Sequence, residues 1–127
     1  MNPFGHIDLR VRDLAAAQPF YAALLPALGF VEEYHGSAWK VWAAEGPPPE
    51  TPYFALTEDP GHVAGASRIA FWTASPAEVD RVGEVIRSAG GRIESGPRPC
   101  PEYSDSYYAL FFEDPSGNRL EVYYRTT

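Results

Sequence analysis

Apolar and polar residues alternate in short runs along most of this chain, and two longer stretches repeat instead at helical spacing. Between Phe4 and Val11, Ile7, Leu9 and Val11 fall on one side, while His6, Asp8 and Arg10 fall on the other. That period of two is the mark of a half-buried strand. Asp13 then predicts a helix N-cap. Leu14, Ala17, Phe20 or Tyr21, Leu24 and Leu28 recur at a spacing that would cover a sheet. Pro19 removes a backbone bond inside that helix and predicts a kink or an early 3₁₀ turn. Pro26 and Gly29 end it. Phe30–Tyr34, Ala38–Ala44 and Tyr53–Thr57 read as strands, with a turn at Gly36-Ser37 and a loop at Gly46-Pro47-Pro48-Pro49.

After a linker over 59–65, the plan begins again. Ser67–Thr73 predicts a strand, with Ile69 and Phe71 on one face and Arg68, Ala70 and Trp72 on the other. Ser75-Pro76-Ala77-Glu78 predicts a capping box with proline at the first helical position. Val79, Val82, Ile86 and Ala89 form the apolar stripe, and Gly90-Gly91 stops the helix. Arg92–Glu94 and Tyr107–Phe112 read as strands, and Gly96–Pro101 reads as a rigid loop. Asp114-Pro115-Ser116-Gly117-Asn118 is a tight turn. It leads into a strand where Leu120, Val122 and Tyr124 oppose Arg119, Glu121 and Tyr123.

The order is β-α-β-β-β twice, an α+β fold of two modules, 3–58 and 66–126, within one domain spanning 1–127. Setting His6 against Arg68 also sets Ile7 against Ile69, Leu24 against Ile86 and Gly29 against Gly91. Each module would have one sheet face covered by its helix and one bare. Two bare faces turned together would enclose a central cleft. By parity its walls take His6, Asp8 and Tyr53 from the first module, and Arg68, Trp72, Glu121 and Tyr123 from the second. Tyr107 or Tyr108, and Trp39 or Trp42, are expected to add aromatic wall. Aromatic walls with a few convergent polar groups suit a small-molecule site.

Composition narrows the partners. The net charge of −7 argues against nucleic acid and anionic membranes. Hydrophobic content of 45% and aromatic content of 14% are enough for a real core. A single cysteine, Cys100, and the absence of a leader-like N-terminus point to a reducing, cytoplasmic setting.

The paired modules, Gly5-His6-Ile7, the Phe20-Tyr21 helix leading to Leu28-Gly29-Phe30, and the closing Phe112 to Glu121 hairpin resemble the vicinal oxygen chelate superfamily. That group includes glyoxalase I, bleomycin-resistance proteins, extradiol dioxygenases and fosfomycin-resistance transferases. The resemblance implies a glyoxalase I-like lyase or dioxygenase-type enzyme, or a metal-free protein that sequesters a small molecule. It also implies a homodimer and a divalent ion (Zn, Ni, Mn or Fe). Its ligand positions fall on His6, Ala55, Arg68 and Glu121, so His6 and Glu121 remain as candidate metal ligands and two positions are missing. Physical reasoning offers a replacement: Arg68 on a strand beside Glu121 would form an ion pair with it in the cleft. His6, Arg68 and Glu121 are therefore the candidate catalytic residues, and Asp8, Tyr53, Trp72, Tyr108 and Tyr123 the candidate pocket.

Overall fold

The computed structural model describes residues 3–47 and 51–126. Pro48 and Pro49 of the expected proline loop lie outside them. The first unit, within 1–63, contains β1 (His6–Val11), α1 (Leu14–Ala27), β2 (Phe30–His35), β3 (Trp39–Ala44) and β4 (Tyr53–Glu58). The second, within 64–127, contains β5 (Arg68–Trp72), α2 (Pro76–Ser88), β6 (Arg92–Pro99), β7 (Tyr108–Glu113) and β8 (Arg119–Tyr124). The strand orders are β1-β4-β3-β2 and β5-β8-β7-β6. In each sheet the first and last strands of the unit pair in parallel and the rest are antiparallel. Among the described residues, no helix is long and apolar enough to cross a membrane.

Both helices start where their caps direct. Asp13 accepts from the Ala16 amide at 3.1 Å, and Ser75 Oγ accepts from the Glu78 amide at 3.2 Å. The Glu78 carboxylate does not turn back to complete a capping box. It runs forward to Arg81 at 2.6 Å, and that bond lowers its pKa. Pro19 does not force a 3₁₀ turn: α1 is α-helical through it. Ala17, Phe20, Tyr21, Leu24 and Leu25 are buried on the first sheet, where Trp42 is also fully enclosed and donates its indole N–H to Glu33 at 2.8 Å. On α2, Val79, Val82 and Ile86 do the same work against Leu110, Phe112 and Leu120.

The repeat is visible in the elements. β1 and β5, α1 and α2, and β2 and β6 each begin 62 positions apart, as His6 to Arg68, Leu14 to Pro76 and Phe30 to Arg92 show. The helix stops pair differently from the sequence register. Gly29 (φ +100°) matches Gly90 (φ +83°), not Gly91, because α2 is one residue shorter than α1.

The second module departs from expectation at β6, which continues through the supposed loop to Pro99. Its register against β7 slips between Ile93 and Ser95 and again between Ser95 and Arg98. Gly96 sits at that irregularity with φ +95°. β6 is the outer strand of its sheet, the place where prolines and bulges are tolerated.

The closing turn is held by one side chain. Asp114 Oδ1 accepts from the amides of Ser116 (2.8 Å) and Asn118 (2.9 Å), and Oδ2 accepts from Asn118 Nδ2 (2.8 Å). Gly117 supplies the positive φ, +83°. The turn fixes the pairing that follows: Glu113 with Arg119, Phe111 with Glu121, and Ala109 with Tyr123.

Candidate functional site

α2 covers one face of the second sheet, and Tyr108 belongs to that side. Its hydroxyl donates to Asp80 of α2 at 2.7 Å. This corrects the expectation that Tyr108 lines the pocket. Strand alternation then puts Tyr107, Ala109 and Phe111 on the other face, away from α2, together with Glu121 and Tyr123.

Glu121 is the chemical centre of that face. It is 6% exposed, and its Oε2 accepts a short hydrogen bond from the Tyr107 hydroxyl. The Tyr107 ring stacks on Tyr123, with centroids 5.0 Å apart and planes 3° from parallel. Burial, reinforced by the bond to the carboxylate, raises the Tyr107 pKa above the ordinary tyrosine range, so the phenol is the donor at neutral pH. Cys100 packs with Ala109 and Phe111 beneath the two tyrosines. Burial pushes its thiol up, so it is a structural thiol rather than a nucleophile.

The expected ion pair between Arg68 and Glu121 is not formed. In the parallel β5–β8 register Arg68 lies opposite Arg119, and the small Ala70 lies opposite Glu121. Arg68 instead lies over Phe111, 4.7 Å from the ring centroid, and pairs with Glu94 at 3.9 Å. Arg98 approaches the same ring at 5.7 Å, with its Nε donating to Ser95 Oγ at 2.7 Å. Trp72, opposite Tyr123 in the register, is 73% exposed.

Phe111 and Arg98 were absent from the expected site set, and Tyr107 stood in it only as the alternative to Tyr108. Counting back from the Asp114–Asn118 turn would have found Tyr107 and Phe111, since a tight hairpin fixes which residues face each other. Arg98 gave no such signal, because Gly96 and Pro97 hid its strand.

In the first unit, the His6 ring stacks on Tyr53 at 4.4 Å with planes 5° apart, as their pairing in the β1–β4 register requires. Asp8 accepts from Thr57 Oγ1 at 2.8 Å and pairs with Arg10 at 3.6 Å. Both of its contacts lie on the exposed side of β1.

The donor set does not fit a divalent ion. Ala55 is a methyl group and Arg68 is a cation. Around Glu121 the sheet offers Ala70, Phe111 and a neutral phenol, none of them an ordinary ligand for Zn, Ni, Mn or Fe. Among the described residues, no three His, Cys, Asp or Glu side chains gather as an ion cage.

The family model for the Glyoxalase/Bleomycin resistance protein/Dioxygenase superfamily matches residues 4–122. The uncharacterized protein YqjT of Bacillus subtilis (strain 168) is 30% identical over 92% of this chain and 94% of its own. A glyoxalase/bleomycin resistance protein from Albidiferax ferrireducens T118 superposes with a TM-score of 0.80 at 25% identity, over 98% of this chain and 100% of that one. A mutant of the fosfomycin resistance protein FosX from Listeria monocytogenes, complexed with Mn(II) and 1S,2S-dihydroxypropylphosphonic acid, shares the fold. Its TM-score is 0.69 at 22% identity, over 96% of this chain and 89% of that one. With two β-α-β-β-β modules and a family match across nearly its whole length, this chain belongs to the glyoxalase/bleomycin resistance protein/dioxygenase superfamily.

Proposed function

We propose that this protein binds a small organic molecule on the face of its second sheet that lies away from α2, using side chains rather than a resident metal ion. One observation carries this reading. Glu121 is almost fully buried, yet among the described residues only its Oε2 has a hydrogen-bond partner. Among the described residues only Ser104 Oγ is a sealed-off side-chain oxygen without a partner, so Glu121 Oε1 reaches the surface, where a ligand donor can meet it. The stacked Tyr107–Tyr123 pair beside it supplies the aromatic wall that an organic ligand uses and water does not. Sequestration of the bleomycin-resistance kind needs nothing more. His6 and Asp8 have no assigned part in this face.

A catalytic role for the same face is favoured by Arg68, whose N–H donors make no hydrogen bond within the protein among the described residues. A guanidinium so placed could stabilise negative charge developing on a bound oxygen, the task a metal ion performs in lyase or dioxygenase-type members. The protein is further read as a cytoplasmic homodimer, on the strength of its single cysteine and the superfamily resemblance.

The test is nuclear magnetic resonance of protein carrying ¹³C-labelled tyrosine, titrated with neutral, anionic and cationic aromatic fragments. Selective shifts of the Tyr107 and Tyr123 ring signals are expected. A screen in which no fragment moves those two signals would overturn the assignment of this face.

A further inference from the structure

Three tyrosines of the second unit form a ladder of rings with a carboxylate at its middle rung. Tyr107 stacks on Tyr123, and Tyr103 meets the Tyr107 ring at 5.0 Å between centroids, with planes 56° apart. Tyr103 is 60% exposed, so the ladder runs from solvent to the buried Glu121. The turn that carries Tyr103 is tied down. Its amide donates to the Cys100 carbonyl at 3.0 Å, and the Cys100 amide donates to the Tyr107 carbonyl at 2.8 Å.

A phenol gives up an electron readily only if its proton leaves with it, because the oxidised phenol is a strong acid. Among the described residues, Tyr107 alone of the three has a carboxylate to receive that proton, since its hydroxyl donates to Glu121 Oε2 and those of Tyr103 and Tyr123 donate to no side chain. Burial and the same bond raise the Tyr107 pKa, so the proton stays on the phenol until the electron goes. Cys100 packs against two of the rings, but its Sγ meets the Arg98 carbonyl at 3.5 Å, and a peptide carbonyl is no base at neutral pH. We propose that Tyr107 is a redox-active tyrosine: a one-electron oxidant that meets Tyr103 draws an electron through that ring from Tyr107, while the phenolic proton passes to Glu121. The O–H bond of Tyr107 breaks and an O–H bond forms on Glu121. The products are a neutral tyrosyl radical, a carboxylic acid and the oxidant reduced by one electron. The step discharges a buried carboxylate, which a poorly solvated setting favours, and the stack on Tyr123 gives the radical a second ring to share. The co-reactant is a strong one-electron oxidant of the class of oxygen-centred radicals and high-valent metal complexes. No ligand bound to this face is needed.

The experiment oxidises the protein with flash-generated tris(bipyridine)ruthenium(III), a cation that the net charge of −7 attracts. Each ruthenium takes one electron and becomes ruthenium(II). Radicals are followed by transient absorption and freeze-trapped for electron paramagnetic resonance, with deuterated tyrosine separating tyrosyl from tryptophanyl signals. The unaltered protein should give a tyrosyl radical coupled to a proton that exchanges in heavy water, formed at a rate that does not rise with buffer concentration. Glu121→Gln keeps an acceptor for the phenol but not a base, and should slow formation about a hundred-fold, the low end of what a positioned base supplies. Tyr107→Phe should abolish that signal. Tyr103→Phe should slow its appearance and leave its line shape unchanged. An unchanged rate in Glu121→Gln or in Tyr103→Phe, or the same tyrosyl spectrum in Tyr107→Phe, overturns the proposal. So does a buffer-dependent rate in the unaltered protein, which decides the matter even if no variant folds.

Discussion

The hydroxyl of Tyr107 donates to Glu121 across the β7–β8 hairpin, joining a phenol and a carboxylate 14 residues apart in sequence. The bond gives a buried acid one partner, which Arg68 does not supply. It follows that Tyr107→Phe should cost about 2 kcal/mol in urea unfolding, since it leaves a buried acceptor without its donor. In a Glu121→Leu background the same change should cost a few tenths at most. Equal costs in the two backgrounds would show that the bond contributes nothing to folding.

Two glycines with similar backbone angles should behave very differently. An alanine Cβ at Gly90 would meet nothing within 4 Å, so Gly90→Ala should cost only the left-handed penalty, about 1–2 kcal/mol. At Gly96 the added Cβ would be driven into the backbone oxygen of Ala109 and would crowd Leu110 Cα at 3.2 Å. Backbone cannot yield as a side chain can. Gly96→Ala should therefore cost well beyond the Gly90 value, and melting curves of the two variants make the comparison. Similar melting temperatures would mean that β6 relaxes freely at its irregularity.

The Asp114 carboxylate anchors the turn that sets which residues lie beside Glu121. Asp114→Ala removes at least three accepted hydrogen bonds at a buried site and should cost about 3 kcal/mol or more. Asn118→Ala, which deletes one of them, should cost less. Denaturant unfolding of the pair tests the ranking, and the reverse order would show that Asp114 is not the anchor.

The double modules, the caps at Asp13 and Ser75 and the faces of β1 and β5 were all legible in alternation and spacing, because those signals are local. What failed was relational. Parity places Arg68 and Glu121 on one face but does not say which residues stand opposite each other. The β5–β8 register puts Ala70 there, and Arg68, two residues away, lies over Phe111 and pairs with Glu94 instead. Tyr107 and Tyr108 stood as alternatives for the wall, and the pocket took Tyr108, because adjacent tyrosines at the start of a strand cannot be told apart until the turn beyond it fixes the count. β6 was truncated because Gly96 and Pro97 signal a loop, and only an outer strand tolerates them.

Alkaline pH should weaken the tie between β7 and α2. The hydrogen bond to Asp80 raises the Tyr108 pKa, and the neutral phenol is the form that donates. A raised folded-state value contributes stability that is fully present below the unfolded value of about 10 and is lost as pH climbs through the folded one. The advantage of the native protein over Tyr108→Phe should hold at about pH 8 and shrink above about pH 10. A difference that stays constant across that range would refute the assignment.

Chelation should leave the fold unchanged. With Ala55 and Arg68 at two of the positions the superfamily resemblance marks for ligands, EDTA treatment is expected to leave the melting temperature where it was. A fall of several degrees, restored by one added equivalent of Zn, Ni, Mn or Fe, would place an ion where side chains are now assigned the work.

The two sheets defend their corresponding outer strands by different means. β6 carries Pro97 and Pro99, which lack the amide hydrogens an incoming strand would need, so its guard is covalent and indifferent to solution conditions. β2 has no proline, and its exposed edge relies on Glu32 and Glu33. That guard is charge, which concentrated salt screens while the missing amides of β6 are unaffected, so self-association in high salt should begin in the amino-terminal half.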